Sequence, residues 1–293
     1  TESSFSNYIA YNNNFANFEY FYANGTIIPA WIESNSSGKL ITWVKIKNTT
    51  TSFYLGFASK TTNLLSSSGT TGIGEAPQLS STYAQYDDGA SVFPYYQRWG
   101  GLSALPSNWS ELSGTVVTFA TTYTEVAPAS STRGWYGINL NPIPSSLSSS
   151  TTIWEFYGNM YNGVNAGSYA GTSTGTPGNW NGYSFNEGNS ATNLIYLGNG
   201  GTQFDISTGY DDTNANKVYS MQMNSATSLS MLINYASIYS TSSATSETPT
   251  YFNFAPSNDG GSEPSTPQYI YWFRTRAYPP NGVMPSVSFG SVS

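Results

Sequence analysis

Residues 26–59, TIIPAWIESNSSGKLITWVKIKNTTTSFYLGFAS, constrain the fold more than any other stretch. Leu40, Thr42, Val44 and Ile46 fall on one side of an extended chain, and Ile41, Trp43, Lys45 and Lys47 on the other. Alternation with period two is the mark of a strand with one buried face. Phe53, Leu55 and Phe57 repeat the pattern after the Asn48-Thr49-Thr50 turn. Ile28 to Ile32 reads as an edge strand, because Pro29 has no N–H to give to a ladder. The three runs together read as a β-meander.

The motifs Pro29-Ala30-Trp31-Ile32-Glu33, Trp43-Val44-Lys45-Ile46 and Tyr54-Leu55-Gly56-Phe57 resemble the signature of a secreted β-domain of unknown function found in archaeal and bacterial surface proteins. In that family a concanavalin-A-like or laminin-G-like sandwich often follows, and Ile270 to Arg276 (IYWFRTR) resembles its late strand. The stretch from Thr71 to Pro77 resembles the linker between the two domains. Family members carry an extended strand before the position where this chain begins. The resemblance therefore implies a first domain whose initial strand is missing or is supplied from elsewhere.

Further along, Val117, Phe119, Thr121 and Tyr123 alternate. Runs around residues 135–140, 152–157, 194–197, 217–223, 229–235, 251–254, 269–275 and 287–292 continue the β idiom between Gly, Asn and Ser turns. The expected fold is all-β: two β-sandwich, jelly-roll-like units joined by a short linker, residues 1–85 and 86–293, the second concanavalin-A-like. Residues 158–188 are rich in Gly, Asn and Thr, are expected to hold an irregular hairpin, and offer a candidate contact surface.

The 293 residues suffice for two such cores. Only 9% of them are charged, the net charge is −7, and there is no basic patch to follow a phosphate backbone, so no nucleic-acid partner is expected. With so few ionisable groups the fold has little to lose in acid, which suits an acidic or variable exterior; compositional drift is the competing explanation. No apolar run reaches membrane-spanning length, so no membrane span is expected. Thr1 reads as a mature terminus left by processing.

Several chemistries can be weighed. Glycoside hydrolysis needs two carboxyl groups about 5–9.5 Å apart. Glu155 and Asp205 each lack a carboxylate partner at strand spacing, and the chain has no histidine to activate a serine. The expectation is no enzyme and no cofactor. Neither His nor Cys is present to ligate zinc, and Asp87-Asp88 and Asp211-Asp212 read as turn residues rather than a calcium cage. Trp180, Tyr183, Phe185 and Trp109 lie among Asn and Gly, where exposed rings would stack on sugars, making them candidate glycan contacts. Sequons at Asn24, Asn35, Asn48 and Asn108 are candidate sites of N-linked glycans, three of them at turns of the meander.

A missing first strand would leave an open edge, and strand donation from a neighbour fills such an edge. Phe5, Tyr8 and Ile9 in the first eleven residues form the candidate exchanged strand; the tail 284–293 is the other donor, and pairing within the parent domain is the alternative for both. Head-to-tail contact of this kind propagates into a filament. The sequence thus reads as an extracellular, glycosylated subunit of a cell-surface filament or layer that associates with itself. A carbohydrate-binding module of a surface protein, or a virion surface or fibre protein, is the alternative.

Overall fold

The computed structural model describes residues 5–10, 15–36, 39–129, 132–144, 151–160, 166–173, 182–187, 193–199, 202–207, 215–223, 225, 228–242, 250–258, 267–279 and 288–290. The protein is all-β, with one four-residue α-helix among the described residues. It divides into two compact units, residues 1–101 with 120–123, and residues 102–119 with 124–293.

The first unit holds β1 (Phe18–Phe21), β2 (Ala30–Ser34), β3 (Ile41–Val44), β4 (Tyr54–Phe57), β5 (Gly74–Glu75), helix α1 (Gly89–Val92) and β6 (Tyr95–Arg98). The expected hairpin forms, with Trp31 opposite Trp43 in an antiparallel pair. The meander does not continue: β4 pairs with β1, Phe18 opposite Phe57. Burial explains the switch, since Leu55 and Phe57 join Phe18, Ile9, Phe15, Ala30, Ile32 and Ile73 in one apolar cluster between the two small sheets. Nor is β2 an edge. It runs between β3 and β5, and its parallel pairing to β5 uses Trp31 and Ile32, beyond the reach of Pro29. The unit extends past residue 85 to Gly101 because Phe93 and Tyr96 pack their rings edge-on to Trp31, at 5.4 and 5.8 Å.

The second unit is a sandwich. Its strands are β7 (Trp109–Glu111), β8 (Thr115–Phe119), β9 (Thr124–Pro128), β10 (Gly134–Trp135), β11 (Ile138–Leu140), β12 (Thr152–Asn159), β13 (Ala166–Ser173) and β14 (Gly182–Glu187). There follow β15 (Asn193–Asn199), β16 (Thr202–Ser207), β17 (Lys217–Met223), β18 (Leu229–Ile233), β19 (Ala236–Thr241), β20 (Tyr251–Asn258) and β21 (Gln268–Ala277). One sheet runs β16-β15-β14-β13-β20-β11-β7, with β10 also on β20; the other runs β19-β18-β17-β12-β21-β9-β8. The Gly- and Asn-rich stretch contains the hairpin β13–β14.

The two sheets close on an aromatic core. Trp154 stacks on Phe252 at 5.7 Å, Phe156 meets Phe254 edge-on at 5.1 Å, and Phe273 lies 4.5 Å from Phe252. Offset and edge-to-face contacts of this kind add to the burial of large apolar area.

Candidate functional site

Strand β12 reads Thr-Ile-Trp-Glu-Phe-Tyr-Gly-Asn. Its pleat sends Trp154 and Phe156 into the core, so Ile153, Glu155 and Tyr157 take the other face of the sheet. The register then selects their neighbours. Arg276 lies opposite Ile153, Arg274 opposite Glu155, and Trp272 opposite Tyr157, all on β21. Ser220 of β17 flanks Glu155 from the other side. An irregularity between Tyr157 and Gly158 leaves Tyr271 outside the register, with its ring 5.3 Å from that of Tyr157.

Glu155 is wholly buried and accepts four hydrogen bonds. Oε1 accepts from Ser220 Oγ at 2.9 Å and Arg276 Nη2 at 2.8 Å. Oε2 accepts from Arg274 Nε at 2.8 Å and Arg276 Nε at 3.1 Å. Burial alone would raise the carboxyl pKa, but the two guanidinium charges and their hydrogen bonds outweigh it and hold it at about 2. Arg274 also donates Nη2–H to Tyr235 Oη at 2.9 Å, and its guanidinium lies over the Trp272 ring, 4.7 Å from the centroid. Trp272 stacks on Tyr157 at 5.8 Å. Burial, and then Tyr271, raise the Tyr157 pKa, while a hydrogen bond with the exposed Asn216 side chain opposes the rise.

This arrangement fixes the Trp272 and Tyr157 rings against the charged network. Glu155 stays ionised at neutral pH with its lone pairs occupied, so it has no proton to donate. Tyr157 and Tyr271 are half-buried at the edge of the network, with Trp272 stacked on Tyr157 and the Arg274 guanidinium over Trp272.

The structure corrects three of the candidate glycan contacts. Trp109 stacks on Phe254 at 5.8 Å and meets Phe273 edge-on, and only 5% of it is exposed. Tyr183 and Phe185 are buried on β14, with Phe185 edge-on to Tyr219 at 5.2 Å. All three lie on regular strands whose pleat turns them inward, which their Gly- and Asn-rich flanks conceal. Trp180 lies outside the described residues. Tyr157 and Tyr271 carry a sequence signal only in their aromatic neighbours.

The candidate exchanged strand is a turn seated on its own unit. The rings of Phe5 and Tyr8 lie 5.6 and 5.9 Å from that of Phe57, and Ile9 belongs to the apolar cluster. Buried Asn17 ties the segment down: Oδ1 accepts from Ala10 N–H, and Nδ2 donates to the carbonyls of Tyr8 and Ala58. Of the sequon residues, Asn24 and Asn48 are exposed, and Asn35 and Asn108 are half-buried. Among the described residues no three potential metal-ligating side chains converge, and no helix is long and apolar enough to cross a membrane.

No family model matches the chain, and no curated protein is significantly similar to it. Solved structures do resemble it. A Bacillus licheniformis β-glucanase is 13% identical, with 62% of this chain covered, 96% of that one, and a TM-score of 0.47. The laminarinase catalytic domain of Thermotoga maritima is 8% identical over 62% and 96%, with a TM-score of 0.49. The Emp47p carbohydrate recognition domain is 11% identical over 62% and 95%, with a TM-score of 0.46. These likenesses correct the expectation that the chain is no enzyme. Glycoside hydrolases stand among the structures it resembles, and that exclusion is withdrawn.

Proposed function

We propose that this is an extracellular glycan-binding protein that meets its sugar at the half-buried Tyr157 and Tyr271 of the second unit. The observation that carries this reading is the stack of Tyr157 on Trp272, itself backed by the Arg274 guanidinium and the fully hydrogen-bonded Glu155. A pyranose ring offers an apolar C–H face and a hydroxyl rim, and a fixed aromatic edge beside polar side chains complements both. Holding the rings in place before binding lowers the ordering cost that a weak sugar contact would otherwise bear. Exposed sequon residues at Asn24 and Asn48 support a surface glycoprotein, in keeping with the resemblance to secreted surface-protein domains. Filament assembly through Phe5, Tyr8 and Ile9 gains no support from the turn they form.

The test is a titration of the chain's tryptophan fluorescence with soluble glucans and other oligosaccharides selected on a glycan array. Saturable quenching is expected, weakened at least about tenfold in Tyr157→Ala and Tyr271→Ala, equivalent to roughly 1.4 kcal/mol. The absence of any glycan response in the unmodified chain, or an unchanged response in both variants, overturns the reading.

A further inference from the structure

Among the described residues of the first unit, one buried carboxyl group has no hydrogen-bond donor. Asp88 is 3% exposed, and neither of its carboxyl oxygens has a hydrogen-bond partner. It occupies the N-cap of α1, where an aspartate normally accepts from a backbone N–H of the first turn, yet its side chain makes no such bond. The preceding residue does the hydrogen bonding instead. Asp87 Oδ1 accepts from Gly89 N–H at 3.2 Å and from Trp31 Nε1–H at 3.0 Å, and Oδ2 accepts from Tyr96 Oη–H at 3.1 Å. The Asp88 carboxyl is turned against Gly74 of β5, so closely that a Cβ there would fall within it.

A buried carboxylate without a donor is costly, and a second one on the adjacent residue makes it costlier. The charged and titratable groups around this corner do not relieve it. Arg98 Nη1 lies 3.8 Å from Asp87 Oδ2 and is paired with that carboxylate. Lys45 Nζ donates to the Ser91 carbonyl at 3.0 Å. Tyr96 donates to Asp87, and Glu75, the next residue on β5, accepts from Ser80 Oγ through Oε1 while Oε2 has no partner.

We propose that Asp88 is a proton-operated latch: in its neutral form it lets β5 and α1 pack against one another, and its ionisation loosens that corner of the first unit. Burial, then the charge of Asp87, push its pKa to about 7, so the change would fall within the ordinary range of external pH. Glu75 is also raised by burial, with the Ser80 hydrogen bond opposing, and acts in the same direction. The sign follows from linkage. Below about pH 4 the folded and unfolded chains both hold the proton, and Asp88 is silent. As pH rises toward 7 only the unfolded chain has released it, so stability falls; above 7 the loss is complete.

The experiment follows backbone amide exchange of the full chain at pH 5 and pH 8, with rates corrected for intrinsic chemistry, in the unmodified protein, Asp88→Asn and Glu75→Gln. Opening of residues 74–75 and 89–92 is expected to increase at least about tenfold at the higher pH in the unmodified protein and in Glu75→Gln, and to stay level in Asp88→Asn. A carbon-13 titration of the Asp88 carboxyl in the unmodified chain serves as a second readout, with a midpoint above about 6 expected. A midpoint below about 5, or the same pH response in Asp88→Asn, overturns the latch. So does full protection restored at pH 8 by calcium alone, which would make Asp88 a cation ligand.

Discussion

Arg274 and Glu155 stand opposite one another across β21 and β12, 119 residues apart in sequence, both wholly buried, with Arg274 Nε 2.8 Å from Glu155 Oε2. The pair, with Arg276, does not resemble a surface salt bridge. Its charges have left water, and their hydrogen bonds with each other and with Ser220 and Tyr235 replace it. Removing one member strands the rest. Glu155→Gln and Arg274→Met are each expected to destabilise the second unit by about 3–5 kcal/mol, whereas replacing Glu155, Arg274 and Arg276 together with apolar residues should cost much less. Denaturant unfolding followed by tryptophan fluorescence reads both outcomes, and equal losses for the single and triple variants would count against this account.

The same network sets an acid limit. The Glu155 pKa is depressed from 4.5 to about 2 in the folded chain, against the pull of burial, by Arg274 and Arg276. Above about pH 4.5 its contribution is fully present; as pH falls toward 2 the unfolded chain takes up the proton first, and the contribution drains away. The second unit is therefore expected to keep its near-ultraviolet circular dichroism to about pH 3 and to weaken below it, with a flatter profile in Glu155→Gln. The first unit responds in the opposite sense through Asp88, gaining stability as the medium turns acidic.

Gly74 offers a steric test of the corner it forms with Asp88. Gly74→Ala places a methyl group where the carboxyl lies, and the neighbour is a short side chain on a helix cap with little room to yield. A loss of about 1–3 kcal/mol is expected, from overpacking. Thermal unfolding should show the loss, and the double variant Gly74→Ala/Asp88→Ala should recover most of it, because the obstructing carboxyl has gone.

How the candidate site could be read differs residue by residue. The strand over residues 152–157 was legible in the sequence, and an extended backbone there puts Glu155 and Tyr157 on the face opposite Trp154 and Phe156, because successive side chains must point to opposite sides. The same local rule determined the β2–β3 hairpin and the turn positions of Asn24 and Asn48. Only the tertiary structure decided which strand would lie beside which. It set β4 against β1 rather than β3, brought Arg274 and Arg276 to Glu155, and turned Trp109, Tyr183 and Phe185 into the core. The physical reason is that pleat and turn chemistry act between neighbours in the chain. Pairing and burial are decided by which long-range arrangement removes the most apolar area from water while leaving the fewest charges without partners.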